Sequence, residues 1–541
     1  MNGFSTPIAI VLSLGFCASL TTTAYADTNP QIEVNQFELV QFKPQQALGW
    51  TKETVTQFLD EQFKNEKNLF SMQELELLAR QLSIQMKQAG LMFSRAQVPE
   101  QEIKNKTVQI VFEDGLLGEV VVMDAKRTKP KLLVRPFLPF LQTTAVRSDL
   151  DQALYQLDRL PGLDVFGFFS VTDTPGLSRL NLRVVDEFSW SAFAHTDNHG
   201  SESVGRERFY ATLDLLNFTG WGDQLKLNVG RSYSQPGFFD GYAQYTLPVG
   251  PGYNPLRFLI SNSDFNLGQG FASLEVFGQS TLASVQYEHN LSPYVKGWST
   301  SIGGSLSESK IDSVFYSDLF FRDSSVAVLS AGLHYSNVLT DNMSHHWRNS
   351  VRFGNVDETS VDEDGTPVQK TSDFTFLSMA YRVQYFQDKS ANPKLSSLNF
   401  ELFGANNQMP SVEQQGFGGF NGIRGLPTGY FSADQGALVH LSHDIGYWPD
   451  AFSGRLSVYA DGGWGHRLDR RDEPAQTAQF ASVGVGYGFA WHKIQFRYDF
   501  GKVVHVNLSS DGAPQDSLDG FNSNKPSRHY FSLSYDLGQF K

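Results

Sequence analysis

Cysteine is nearly absent: Cys17 is the only one in 541 residues. It lies in a short apolar N-terminal stretch, residues 7–20, PIAIVLSLGFCASL. Ala24-Tyr25-Ala26 follows with the small-x-small pattern of a cleavage site, so residues 1–26 read as an export signal, although MNGFST ahead of it carries no Lys or Arg. Phe16 just before Cys17 argues against lipoprotein processing. Once residues 1–26 are removed, no thiol is left for a disulfide or a thiolate metal site. Long apolar runs are lacking too. No stretch of about 18 apolar residues occurs after position 30, which excludes a transmembrane helix. Positive charge is in deficit, with 43 Lys and Arg against 57 Asp and Glu and a net charge of −14. That balance argues against a nucleic-acid partner. Aromatic residues and glycine are plentiful: 44 Phe, 20 Tyr and 47 Gly.

Two small α/β modules come first. Residues 32–39 read as a strand. From Thr51 to Phe63 the apolar residues Val55, Phe58, Leu59 and Phe63 have helical spacing. Ser71-x-x-Glu74 is a capping box before a second helix with Leu75, Leu78, Leu82 and Met86 on one face, and Gly90 suits its C-terminal stop. Strands are expected at 93–98 and 107–112. The β-α-α-β-β order then repeats: a strand at 118–123, helices at 131–141 and 148–160, and strands near 166–171 and 178–186. The two modules span 32–116 and 117–187. Each is too small to be more than marginally stable alone.

From about residue 188 the helical spacing gives way to alternation. Ile494, Phe496, Tyr498 and Phe500 face one way, while Lys493, Gln495, Arg497 and Asp499 face the other. A soluble sandwich would also alternate. Here one face is heavily aromatic and the other carries glycine and charge, as suits lipid outside and a wet lumen inside. About sixteen such segments follow, beginning near 189, 208, 224, 241, 256, 272, 295, 325, 346, 375, 395, 436, 454, 479, 493 and 530. An even number allows both chain ends to lie on one side of the membrane. The expected architecture is therefore two small α/β domains followed by a sixteen-stranded antiparallel transmembrane β-barrel over 188–541.

One connection stands out. Residues 406–434, between the eleventh and twelfth strands, are long for a hairpin. Half that length, about 14 residues extended, reaches roughly 45 Å. That exceeds the ~25 Å apolar band of such a barrel, so the loop can fold back into the lumen. Its tip, Gly416 to Tyr430, reads GFGGFNGIRGLPTGY and carries the single charge Arg424. Glycine there permits close backbone approach and positive φ. A partner is available on the thirteenth strand. Leu456, Val458 and Ala460 form its apolar face, so Ser457, Tyr459 and Asp461 point inward. An arginine–carboxylate pair can be bidentate, which fixes orientation as well as proximity. In a hydrated lumen such a pair would contribute only about 1 kcal/mol or less.

The chain resembles the TpsB transporters of two-partner secretion, the ShlB/FhaC/HecB-type haemolysin secretion/activation proteins within the Omp85 superfamily. GLMFSRAQVPEQEI (90–103) with VQIVFEDG (108–115) resembles the end of that family's first POTRA domain, and LDRLPGLDVFG (157–167) the second. Residues 196–225 resemble the start of its barrel. Asn421, Gly422, Ile423, Arg424 and Gly425 are similar to the VRG[YF] motif of its sixth extracellular loop. Tyr459 to Gly463, with Asp461 and Gly463, are similar to the partner motif on the thirteenth strand. Leu426 stands where the family usually has an aromatic residue. The five residues 27–31 are too few for the N-terminal plug helix of many relatives.

The resemblance implies a pore that exports one large secreted TpsA-like exoprotein. The POTRA domains would hold that partner in the periplasm, and the barrel, expected to be a monomer by the same likeness, would sit in outer-membrane lipid. It implies no cofactor, no metal and no catalysis. An Omp85-type assembly factor is the main alternative, though such relatives usually carry more POTRA units. A passive porin would lack residues 32–187. An outer-membrane hydrolase would need a nucleophile–base pair, for which His195, Asp197 and Ser201 are the candidates. His345 and His346 could touch a metal, but no third ligand accompanies them.

Overall fold

The structure, a computed structural model, describes residues 31–63, 68–233, 237–291, 297–340, 342–362, 365–387, 394–448, 453–469, 474–511 and 525–540. The expected export signal (1–26) and residues 27–30 of the short run after it lie outside these. The chain divides into two compact units, Met1–Glu187 and Phe188–Lys541.

The first unit contains two modules. In one, β1 (Gln31–Glu33) pairs with β3 (Leu69–Ser71), and β2 (Gln36–Val40) runs parallel to β5 (Thr107–Glu113), whose other side takes β4 (Arg95–Gln97). The single strand expected at 32–39 is thus two. Val34 N–H donates to Asn68 O at 2.8 Å and Asn35 N–H to Lys106 O at 2.7 Å, so the chain changes partners between them. α1 (Lys52–Glu61) and α2 (Met72–Gln88) cover the sheet. The capping box is made: Ser71 N–H donates to Glu74 Oε2 at 2.8 Å and Glu74 N–H to Ser71 Oγ at 3.3 Å. Leu75, Leu78, Leu82 and Met86 are buried along one stripe, as a 3.6-residue period requires.

The other module repeats the order. β6 (Leu116–Met123) runs parallel to β8 (Leu177–Glu187), and β7 (Leu163–Val171) is antiparallel to β8. The expected helix at 131–141 is shorter. α3 (Pro130–Val134) tightens into a 3-10 turn, Arg135–Phe140, because Pro136 and Pro139 lack the N–H that an α-turn would use. α4 (Arg147–Asp158) buries Leu150, Ala153 and Leu157. The Glu187 carboxylate at the end of β8 accepts the backbone N–H groups of Lys126, Arg127 and Thr128 at 2.8–3.2 Å. Burial pushes its pKa up, but these bonds outweigh burial and hold it below the usual carboxylate range.

The second unit is a closed barrel of sixteen antiparallel strands, each paired with its chain neighbours. The first, Trp190–Asp197, closes against the sixteenth, Ser527–Phe540, and the Trp190 and Phe540 rings stack at 4.0 Å. Leu329, Phe353 and Leu377 stand exposed on the outer face. The neighbouring positions Val328, Gly354 and Phe376 turn inward. Period-two patterning therefore sets inside from outside, as the sequence implied.

Candidate functional site: the anchored loop in the lumen

The connection between the eleventh strand (Leu395–Ala405) and the twelfth (Gln435–Trp448) folds back inside the barrel. Its two arms meet in a small ladder, Gln415 with Ala433 and Gly416 with Ser432. Arg424 sits at the tip and reaches Asp461 on the thirteenth strand (Ser453–Arg467). The Nε–H donates to Oδ2 at 2.8 Å, Nη2–H to Oδ1 at 2.6 Å, and the Arg424 backbone N–H to Oδ2 at 3.1 Å. Thus Asp461 holds both the side chain and the backbone of the tip.

Neighbours complete the collar. The Arg424 guanidinium lies 3.3 Å above the Tyr459 ring centroid, a cation–π position. His440 Nδ1 is 3.1 Å from Asp461 Oδ1, and Ser482 Oγ donates to Oδ2 at 3.4 Å. Asp499 lies 3.8 Å from Arg424 Nη1 and is itself held bidentately by Arg497 at 2.6 and 3.0 Å. The Arg424 side chain is 10% exposed and that of Asp461 0%. This corrects the expectation of a hydrated pair. Removing one partner of a buried pair leaves an uncompensated charge and costs about 3–5 kcal/mol.

The other motif residues divide by role. Ile423 is fully buried, and its N–H donates to Phe417 O at 2.7 Å. Gly422 is buried, and Asn421 faces the open lumen. Gly425 has φ +105°, and its N–H donates to Tyr530 Oη at 3.1 Å. It needs to be glycine for that φ, and Gly501 opposite needs to be glycine for space. A Cβ on Gly501 would lie 2.7 Å from the Arg424 carbonyl carbon. Leu426 fills the place beside Arg424 with an aliphatic side chain, fully buried among Phe417, Phe480 and Val503.

Phe417 is the residue that the motifs did not single out. It is fully buried and lies over Gly463 and Gly465, where added Cβ atoms would stand 3.0 and 2.7 Å from its ring. Gly463 therefore works as a seat for the loop's ring beside Asp461. The signal was present in the sequence as inward-facing glycines at alternate positions of the thirteenth strand. Phe403, Phe431 and Phe480 surround Phe417 with ring centroids at 5.8–6.1 Å.

Beside the loop lies a polar cavity of about 1400 Å³, walled by Arg257, Arg348, Arg382, Glu401, His440 and Arg497 among others. The remaining candidates do not converge on chemistry of their own. His195 contacts Asp197 at 2.9 Å, but Ser201 pairs with Ser203 instead. The other His195 nitrogen meets Ser534 at 2.9 Å, across the seam between first and last strands. His345 and His346 lie within the ninth strand, Met343–Val361, not in a loop. As strand neighbours they point to opposite faces. His345 meets Tyr381 at 2.6 Å and His346 meets Ser336 at 2.9 Å. Among the described residues no group of three or more His, Cys, Asp or Glu could hold a metal.

A closed sixteen-stranded antiparallel barrel with an apolar outer face and a loop folded into its lumen defines a membrane-spanning β-barrel protein. Residues 176–490 match the family haemolysin secretion/activation protein ShlB/FhaC/HecB, and the chain belongs to that family. It is 25% identical over 487 residues to the heme/hemopexin transporter protein HuxB of Haemophilus influenzae, covering 86% of this chain and 80% of the relative. It is 23% identical to the outer membrane transporter CdiB of Dickeya dadantii, covering 78% of this chain and 75% of that one. Among solved structures, CdiB from Escherichia coli superposes with a TM-score of 0.66 at 18% identity, covering 96% of this chain and 93% of that chain. BamA from Haemophilus ducreyi lacking POTRA domains 1–3 gives 0.54 at 14% identity, covering 93% and 100%.

The protein is thus an outer-membrane two-partner secretion transporter with periplasmic POTRA domains, working with a secreted partner protein. Odd-numbered barrel strands run outward from the periplasm. The Phe417 core then lies in the outer half of the lumen and the polar cavity in the periplasmic half.

Proposed function

We propose that the partner is held in an extended form at the sheet edges of the N-terminal unit and passes outward through the lumen. Loop 406–434 closes that path at rest, and the Arg424–Asp461 pair is its latch. The edge strand β7 supports the first step. Among the described residues it pairs only with β8, so alternate residues along its free edge present backbone groups outside the ladder. An extended segment can add to such an edge by main-chain hydrogen bonds. Phe166 and Phe168, stacked at 6.1 Å, share a sheet face with Arg179 and Arg183 and offer side-chain contacts. The protein works as a conduit and catalyses no reaction. One copy suffices, because the barrel closes within one chain and its apolar belt faces lipid. The two curated relatives carry names pointing to different exported cargoes, so the reading stops at a secreted partner protein.

The buried Arg424–Asp461 pair carries this reading, since it joins loop to wall at a point that would otherwise be open. Thr428 Oγ1 donates to His199 O at 2.9 Å, away from the latch. Cysteines at Thr428 and His199, joined by a reducible bifunctional thiol reagent, should stop secretion, and reductant should restore it. Full secretion with the link in place would sink the proposal.

A further inference from the structure

We infer that the periplasmic half of the lumen receives acidic stretches of the extended partner, on a cationic patch centred on Arg348 and Arg382. This rests on the reading that the partner passes through the lumen. The whole chain carries −14, yet seven arginines and only three carboxylates line the polar cavity. Counting charges overstates the effect, because contact ion pairs act as dipoles. Arg257 is paired with Glu288 at 3.1 Å, Arg455 with Asp444 at 3.0 Å, Arg497 with Asp499 and Arg424 with Asp461. Arg352 is taken by Glu413 of the loop.

Two arginines remain without a contact ion pair among the described residues. Arg382 donates its Nε–H to the Asn399 side-chain oxygen at 2.6 Å, which leaves its charge uncompensated. Arg348 makes no hydrogen bond or ion pair among the described residues and is exposed to the cavity. The ladder places them together: His346 is opposite Arg382, and Arg348 follows two positions along the same strand. His334, opposite Arg348, and Ser336, opposite His346, extend the patch with further polar groups. Glu401 faces the same cavity one strand beyond Ala380 and lies within electrostatic range of Arg348, so it offsets part of that charge, but it makes no contact ion pair with either arginine among the described residues.

Screening limits the reach of exposed charge to about 8 Å at physiological salt, so the patch acts on groups that enter the cavity and not at long range. Low-dielectric walls strengthen it there. A guanidinium takes a carboxylate bidentately, and a run of Asp or Glu side chains along an extended segment supplies such groups in series. An acidic polypeptide therefore fits this wall, and a basic one is repelled.

The test uses the purified full chain in detergent, titrated with a twelve-residue oligo-glutamate peptide and separately with oligo-lysine. Oligo-glutamate should bind saturably, oligo-lysine should not, and raised salt should weaken the binding. R348Q/R382Q should lower oligo-glutamate affinity at least tenfold, and R348K/R382K should keep most of it. Heat-modifiable migration identifies folded barrel in each variant. Equal binding of the two peptides, or unchanged affinity in R348Q/R382Q, would overturn the inference. Neither titration needs transport, so a failure of the conduit reading would appear separately, as secretion that ignores a cross-linked loop.

Discussion

The two halves of the lumen are built on opposite principles. The outer half is dry: Phe417, Ile423, Leu426 and Phe431 of the loop pack against Leu438, Phe480 and Val503 of the wall. The periplasmic half is wet and lined by arginine, serine and histidine. The boundary falls at Asp461, where the thirteenth strand passes from Arg455 and Ser457 to Gly463 and Gly465. A barrel that only conducted would have no reason to fill half its bore with aromatic rings. The difference is that of a loop with its own hydrophobic core, tied to the wall by the Arg424–Asp461 and Glu413–Arg352 ion pairs at the edge of a polar chamber.

Substitutions should separate the halves by the size of their effect. Phe417→Ala removes the ring at the centre of the dry half and should cost about 3–5 kcal/mol. A lowered denaturant midpoint and new protease cleavage within 406–434 would show it. Arg424→Ala follows closely, at about 3 kcal/mol or more, because Asp461 is left buried with only His440 and Ser482 as side-chain partners. It should loosen the loop, read as raised conductance in planar bilayers and new cleavage within 406–434. Arg424→Lys should rescue it only in part, since an ammonium makes no planar two-bond contact.

Gly465→Ala is a sharper probe, because it adds one methyl group and removes nothing. Its Cβ would stand 2.7 Å from the Phe417 ring, and overpacking of this kind costs about 1–3 kcal/mol. Loop cleavage should rise while the strands remain intact. Arg348→Gln in the wet half should shift the midpoint by less than about 0.5 kcal/mol, as exposed substitutions do. A shift as large as that of Phe417→Ala would erase the distinction between the halves.

Much of this was legible in the residues. Alternation along the strands fixes which side chains point inward, and so put Asp461 in the lumen. Loop length made its meeting with Arg424 geometrically possible. The dryness of the pair was not legible, because it depends on Phe417 and Leu426 packing against strands far apart in sequence. The inward glycines at 463 and 465 were a usable sign of a seat, since a missing side chain on a lumen wall leaves room for something else. His440, Tyr459, Ser482 and Asp499 around the latch come from four strands: the ladder register sets His440 and Ser482 opposite Asp461, and Asp499 comes near through the reach of the Arg424 side chain. The break at Val34 escaped because it reflects a change of strand partner, which periodicity does not record.

The latch also bears on how the molecule is assembled. Arg424 finds Asp461 only 37 residues ahead, but Gly425 meets Tyr530 across 105 residues and Thr428 meets His199 across 229. The first and last strands meet across 339 residues at His195 and Ser534. Contacts so distant in sequence form late, because the chain entropy they cost is repaid only when much of the structure exists. The tip touches the sixteenth strand and the segment after the first, so it cannot be seated until both ends of the sheet have been brought together. Seating of the tip therefore accompanies or follows sealing of the seam and does not precede it, so the loop's position reports on whether the barrel has closed.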